Sequence, residues 1–188
     1  SGGQVGDTGT ITLSAQPGEV SVINIKIINT KKENDLIIHF TDQVPANLAG
    51  EVTASVDRNR RRNITVHHSV THLMHAALRR ILGTHVAQKG SLVNEEHTRF
   101  DFSHFAKMTD QELEAVEETV NEKIRENIPV VIRSMGKEEA IEMGAMALFG
   151  EKYADTVRVV IMDPAYSIEL CGGTHVGSTG ELGIFKIK

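Results

Sequence analysis

Two pairs of residues, each spaced by four and far apart in the chain, constrain its fold more than any other feature. His68 and His72 form one pair, Cys171 and His175 the other. On an α-helix the His-x-x-x-His spacing puts both imidazoles on one face, one turn apart, where they can share a metal. His75 follows roughly on that face, while His67 points away. The run 67–82 places Leu73, Ala77, Leu78, Ile81 and Leu82 at helical spacing, so it reads as a largely buried helix. Several histidines in an apolar helix need a reason. Cys171 is the only cysteine, and Gly172 and Gly173 after it allow a tight turn on which Cys171 and His175 converge. A Cys-x-x-x-His loop facing a His-x-x-x-His helix offers three imidazoles and a thiolate, a set that suits zinc.

Each pair alone says less. A lone cysteine is usually a small buried hydrophobe. A nucleophilic Cys171–His175 pair is the rival chemistry, since glycines and a nearby imidazole suit an activated thiol; it leaves the helical histidines unexplained. Ser69 follows His68, so the glutamate base of His-Glu-x-x-His proteases is absent. Thr71, beside His72, is either a polar lining group or a β-branched filler whose hydroxyl bonds back to its helix. Gln88, Lys89 and Ser91 read as a turn after the helix. Glu169 lies two before Cys171 and shares its face on a strand, where it is either a carboxylate holding a ligand histidine or an exposed glutamate.

Composition narrows the class. The 188 residues amount to one ordinary domain or two small ones, and 40% hydrophobic with 24% charged residues is globular composition. Aromatics reach only 4%, so the core is aliphatic and stacking platforms for bases are scarce. A single cysteine excludes an internal disulfide. No apolar run approaches the roughly 20 residues of a membrane span, and no basic-then-apolar leader opens the sequence, so the expected compartment is the cytoplasm. The net charge of −5 argues against a nucleic-acid partner, but seven acids between Asp110 and Glu126 crowd onto one expected helix and the remainder is nearly balanced. Arg58, Arg60, Arg61 and Arg62 form the one dense basic cluster: a solvated linker, or a patch for phosphates.

The chain reads as two parts, 1–64 and 65–188. The first carries turn residues at Gly2, Gly3, Gly6, Gly9 and 17–19, and strands over 20–28, 36–40 and 52–56, with Ile23, Ile25 and Ile27 on one face. It shows no helical run, and its short strands predict a small β-barrel. In the second part, helix 67–82 is followed by strands over 86–102 with turns at Lys89-Gly90 and Asn94-Glu95. Thr109-Asp-Gln-Glu112 is a capping box opening a helix that stops before Pro129. A buried strand over 130–135, a helix over 137–149, strands over 157–162 and 166–170, and a closing strand over 184–187 complete an α+β pattern, with helices packed on an antiparallel sheet.

Five segments together resemble a known family. His68-Ser-Val-Thr-His72-Leu-Met-His, His85-Val-Ala-Gln88-Lys-Gly-Ser91, Arg99-Phe-Asp-Phe-Ser103, Ala147-Leu-Phe-Gly-Glu-Lys-Tyr153 and Cys171-Gly-Gly-Thr-His175 are similar, in order and spacing, to the editing domain of alanyl-tRNA synthetases. Ser1-Gly-Gly-Gln-Val-Gly-Asp-Thr-Gly9 resembles the strand-rich segment before it. The resemblance implies a small β-barrel followed by the α+β domain shared with threonyl-tRNA synthetases. It implies hydrolysis of tRNA(Ala) whose 3′ end wrongly carries serine or glycine, within the remainder of the synthetase and away from any membrane. It makes His68, His72, Cys171 and His175 the zinc ligands, with Thr71, Gln88 and Cys171 in the editing site. Val70 stands where many relatives have alanine. No aminoacylation core is present, so the chain reads as an excised fragment. Arg58, Arg60, Arg61, Arg62, Arg79, Arg80 and Lys89 are candidate tRNA contacts. A threonyl-type editing domain and a non-catalytic, zinc-stabilised tRNA-binding module are the alternatives.

Overall fold

The computed structural model describes residues 3–13, 23–34, 36–44, 51–147 and 154–188. The expected turn at 17–19, the start of the strand at 20–22 and most of the 147–153 motif lie outside them. The chain forms two compact units, Val5–Asn63 and residues 1–4 with 64–188. No helix among the described residues is long and apolar enough to cross a membrane.

In the first unit, β1 (Gly9–Leu13), β2 (Ile23–Glu33), β3 (Leu36–Thr41) and β4 (Val52–Val56) form an antiparallel sheet ordered β3-β2-β1-β4. Ile11 lies opposite both Ile25 and Ala54. Leu13, Ile25 and Ile27 are buried, as alternation predicts, whereas Ile23 is exposed. The expected barrel is not formed among the described residues: β3 and β4 are the two edges, and no pairing joins them. The expectation of a helix-free first part is also corrected. Helix α1 spans Arg58–Leu82, and Asp57 starts it by accepting the Arg60 N–H on its side chain at 3.0 Å. Four arginines near a helix N-terminus oppose the helix dipole. Arg61 offsets this through its bidentate contact with Asp7, and Arg60 through its bond to the Gly6 carbonyl.

In the second unit every residue of α1 from His68 to Leu78 is buried, so the helix is covered on all faces. Gly83, at φ +117°, ends it. Strands β5 (Gln88–Val93) and β6 (Thr98–Phe102) form an antiparallel pair, and Gln4 adds a parallel bridge to Val93. The Lys89-Gly90 turn is instead a register shift inside β5. Helix α2 (Asp110–Arg125) has its full capping box and buries Val116, Val120 and Ile124. Strands β7 (Val130–Gly136), β8 (Thr156–Met162) and β9 (Ser167–Leu170) form an antiparallel sheet with β8 central and almost wholly buried.

Three further expectations are corrected here. β7 is an edge strand and mostly exposed, not buried. Helix α3 covers only Lys137–Glu142, because Gly144 takes φ +84° and closes the last turn onto Ile141. The closing segment is not a strand: Asn121 brackets Phe185 through both backbone groups at 2.9 Å, and Glu117 accepts the Ile187 N–H at 2.7 Å. Side chains of α2 thus do what a neighbouring strand would have done. Leu73, Ala77, Val116, Val120, Val160, Met162, Leu182 and Phe185 build the main core.

Candidate metal centre

Two elements carry the polar cluster: the buried middle of α1, and the loop that leaves β9. Arg158 pins that loop at its root. Its carbonyl accepts the Cys171 N–H at 3.0 Å, and its guanidinium donates to the Cys171 carbonyl at 2.6 Å. The glycines then bring the loop close to the helix: a Cβ at Gly173 would strike the His68 ring. The nitrogens of His68, His72 and His175 and the Cys171 sulfur consequently all lie within 4.8 Å of one another. Cys171 Sγ is 3.4 Å from Nε2 of both His68 and His175, close to the about 3.6 Å edge of a zinc tetrahedron.

The far nitrogen of each ring is held. Nδ1 of His72 lies 2.8 Å from Glu169 Oε2, an ion-pair contact bent away from a straight hydrogen bond, and Nδ1 of His75 lies 3.1 Å from Oε1. Glu169 is itself buried on β9. Ser69 gives its proton to the Thr65 carbonyl at 2.8 Å, so its oxygen can only accept, from Val176 N–H at 3.0 Å and from His175 Nδ1 at 3.3 Å. Gln4 accepts from His68 Nδ1 at 2.6 Å. Carboxylate, hydroxyl and amide oxygens all call for a proton on Nδ1, which leaves Nε2 of His68 and His175 to face the sulfur.

The charges follow. Burial opposes the Cys171 thiolate, but His175, His68 and His72 outweigh it and bring the thiol down to about 3. Burial likewise opposes charge on His72, yet Glu169 and the Cys171 sulfur push it up to about 10. Burial opposes ionised Glu169 too, and His72 and His75 hold it well below the usual carboxylate range. Burial takes His175 down to about 4. The cluster therefore stores a thiolate and a carboxylate against one imidazolium. His72 Nε2 is buried and has no hydrogen-bond partner among the described residues, a cost of about 1–3 kcal/mol that a bound cation would remove. Three imidazoles, one thiolate and a buried, unpartnered His72 Nε2 whose proton a cation would displace fit zinc.

The structure places the other predicted residues less centrally. Thr71 gives its proton to the His67 carbonyl at 2.8 Å, so the 2.8 Å contact with Thr98 Oγ1 is one that Thr71 accepts. Gln88 donates to Ser91 Oγ at 3.1 Å within β5 and makes no hydrogen bond to the four-residue cluster. Arg79 donates to the carbonyls of Thr84 and Val86, and Arg80 to that of Ala165 while lying 4.4 Å over the Tyr166 ring. Arg58, Arg62 and Lys89 are exposed. Gln4, Ser69 and Thr98 were not singled out as site residues by sequence reasoning. Only the polar identity of Ser69 within a buried helical run was a signal.

The elements and the centre define the class: an α+β domain organised around a buried three-histidine, one-cysteine cluster. Residues 157–188 match the family described as the Threonyl and Alanyl tRNA synthetase second additional domain. Over its whole length the chain is 55% identical to an alanine–tRNA ligase of Cytophaga hutchinsonii, covering 21% of that protein. It is equally 55% identical to the alanine–tRNA ligase of Gluconobacter oxydans, covering 22% of it. With that of Salinibacter ruber it shares 48% identity over 98% of this chain and 18% of the relative. Over its whole length the chain is similar to these alanine–tRNA ligases, and it spans about a fifth of their length.

Proposed function

We propose that this chain is the editing part of a cytoplasmic alanine–tRNA ligase, hydrolysing the ester of tRNA(Ala) that carries serine or glycine. In this reading 65–188 is the zinc-dependent domain and 1–64 a separate strand-rich one. The observation that carries it is the convergence of His68, His72, Cys171 and His175 with Nε2 of His72 buried and unpartnered, in a chain related to alanine–tRNA ligases.

The need for such a site is physical. Serine differs from alanine by one hydroxyl and glycine by one methyl, and a pocket shaped for alanine discriminates such small differences by only about 10–200-fold. Zinc, when held by the four residues, supplies a Lewis acid beside the ester. The chain's own groups supply selection. Thr71 has spent its proton and one lone pair, and its remaining lone pair can accept the serine hydroxyl, which alanine lacks. Gln88, directed into β5 by Ser91, shapes the wall for the smaller side chain. Cys171 acts as a ligand, since two imidazoles and the Gly173 N–H already converge on its sulfur. Arg58 and Arg62, exposed at the start of α1, are the phosphate contacts we favour; Arg60, Arg61, Arg79 and Arg80 already hold parts of the chain.

Four protein ligands also favour a second reading, because a closed tetrahedron is the usual form of a structural zinc. One experiment separates the two. The protein is mixed with Ser-, Gly- and Ala-tRNA(Ala), and with Ser-tRNA(Thr), with and without a chelator, and ester loss is followed. Metal-dependent loss of serine and glycine from tRNA(Ala), with alanine spared, is expected. Preference for Ser-tRNA(Thr) would assign the threonyl type. No turnover, with unfolding on chelation, would make the zinc structural.

A further inference from the structure

We infer that Gln4, from the glycine-rich opening of the chain, is a positioning residue for the metal centre, and that it acts by fixing the proton of His68 on Nδ1. The inference deepens the proposed zinc site and rests on that reading for its consequence, though not for its chemistry. The amide orientation of a glutamine is normally ambiguous, and here one neighbour settles it. The Thr174 backbone N–H can only donate, and it meets the Gln4 side chain at 3.0 Å, so the atom there is the oxygen Oε1. That oxygen has no proton to give. His68 Nδ1, 2.6 Å from the same atom, must therefore be the protonated nitrogen. Thr174 Oγ1 adds a third contact to Oε1 at 3.2 Å. Nε2 is then the only nitrogen His68 can offer to a metal, and it is the one facing Cys171 at 3.4 Å.

The delivery of Gln4 is built into the backbone. Val93 N–H bonds the Gly3 carbonyl at 3.0 Å, and Gln4 pairs in parallel with Val93 on β5. Gly3 takes φ +78°, and a Cβ there would strike Ser91. The loop meets Gln4 from the other side: a Cβ at Gly173 would sit 2.9 Å from Gln4 Oε1. One amide oxygen thus ties the opening residues, the α1 histidine and the Cys171–His175 loop together. With it, all three ligand rings have an oxygen on Nδ1: Gln4 for His68, Glu169 for His72 and Ser69 for His175.

The test labels the histidines with nitrogen-15 and compares the intact chain with Gln4→Ala and Gln4→Glu. Long-range proton–nitrogen correlations report which nitrogen of His68 carries the proton. Competition with a chromophoric chelator reports the affinity for zinc alone. We expect a Nδ1–H signal for His68 with and without zinc, lost in Gln4→Ala, and a fall in zinc affinity of about 10–100-fold. Gln4→Glu, which keeps an accepting oxygen, restores both to within a few-fold. An unchanged His68 signal and unchanged affinity in Gln4→Ala would overturn the inference. Zinc failing to bind the intact chain, while Gln4→Ala still abolishes the Nδ1–H signal, would sink the metal reading and leave the role of Gln4 standing.

Discussion

Glu169 divides its two oxygens between His72 and His75, so its replacement tests how the centre is held. In Glu169→Gln one end of the side chain becomes an N–H donor facing an imidazole that also presents a proton, and one contact turns repulsive. We expect zinc affinity to fall by about 10–100-fold with the helical signal intact, as chelator competition and circular dichroism will show. Unchanged affinity would mean that the apolar walls alone set the His72 ring. The charge of the same ring gives a second prediction. Metal-free His72 keeps its proton up to about pH 10, while Cys171 has already lost its own above about 3. Zinc must displace the His72 proton and need not displace the thiol's. Between about pH 4 and pH 10 each zinc bound by the metal-free protein should release about one proton from this pair, and affinity should rise roughly tenfold per pH unit. Calorimetry in two buffers of different ionisation enthalpy measures the release. An absent release at neutral pH would show that His72 is already neutral beside Glu169.

At the level of the element, what could be read in advance depended on how local its cause was. The α2 capping box was legible because its partners lie three residues apart: Glu112 N–H bonds Thr109 Oγ1, and Thr109 N–H returns to Glu112 Oε2 at 2.7 Å. Removing it in Thr109→Ala should cost about 1 kcal/mol, seen as a lower urea midpoint with an unchanged slope. A loss below the error of the titration would mean that burial of Val116, Val120 and Ile124 holds the helix end without its cap. The start of α1 was not legible, since arginines carry no apolar period and Asp57 is an ordinary turn residue until its bond to Arg60 is seen. The apolar run of β7 gave the strand but not its exposed place at the sheet edge. Residues 184–187 looked like a strand because they are apolar, yet their backbone is satisfied by Asn121 and Glu117, a pairing no short pattern encodes. The two pairs that converge in one cluster were legible from the spacing within each pair. Gln4 and Ser69 meet His68 and His175 by hydrogen bonds across long sequence separations, where periodicity carries no information.

The second unit as a whole decides whether the metal is needed for the fold or only for the site. Classical zinc fingers lack a core of their own and unfold without metal. Here Leu73, Ala77, Val116, Val120, Val160, Met162, Leu182 and Phe185 are buried in one cluster, and only Cys171 belongs both to it and to the metal set. The apolar contacts among α1, α2, β8 and the closing segment therefore do not depend on an ion in the four-residue cluster. A ligand that binds only the folded state adds about 4.1 kcal/mol at a thousand times its dissociation constant. Chelation should accordingly lower the melting temperature while leaving the circular dichroism at room temperature unchanged. Cys171→Ala should behave alike: folded, less stable, and without zinc or hydrolysis of Ser-tRNA(Ala). Wild-type hydrolysis in that variant would remove Cys171 from the site. Unfolding at room temperature on chelation would show that the charges stored beside His72 cost more than this core supplies, and that the ion completes the fold before it serves any reaction.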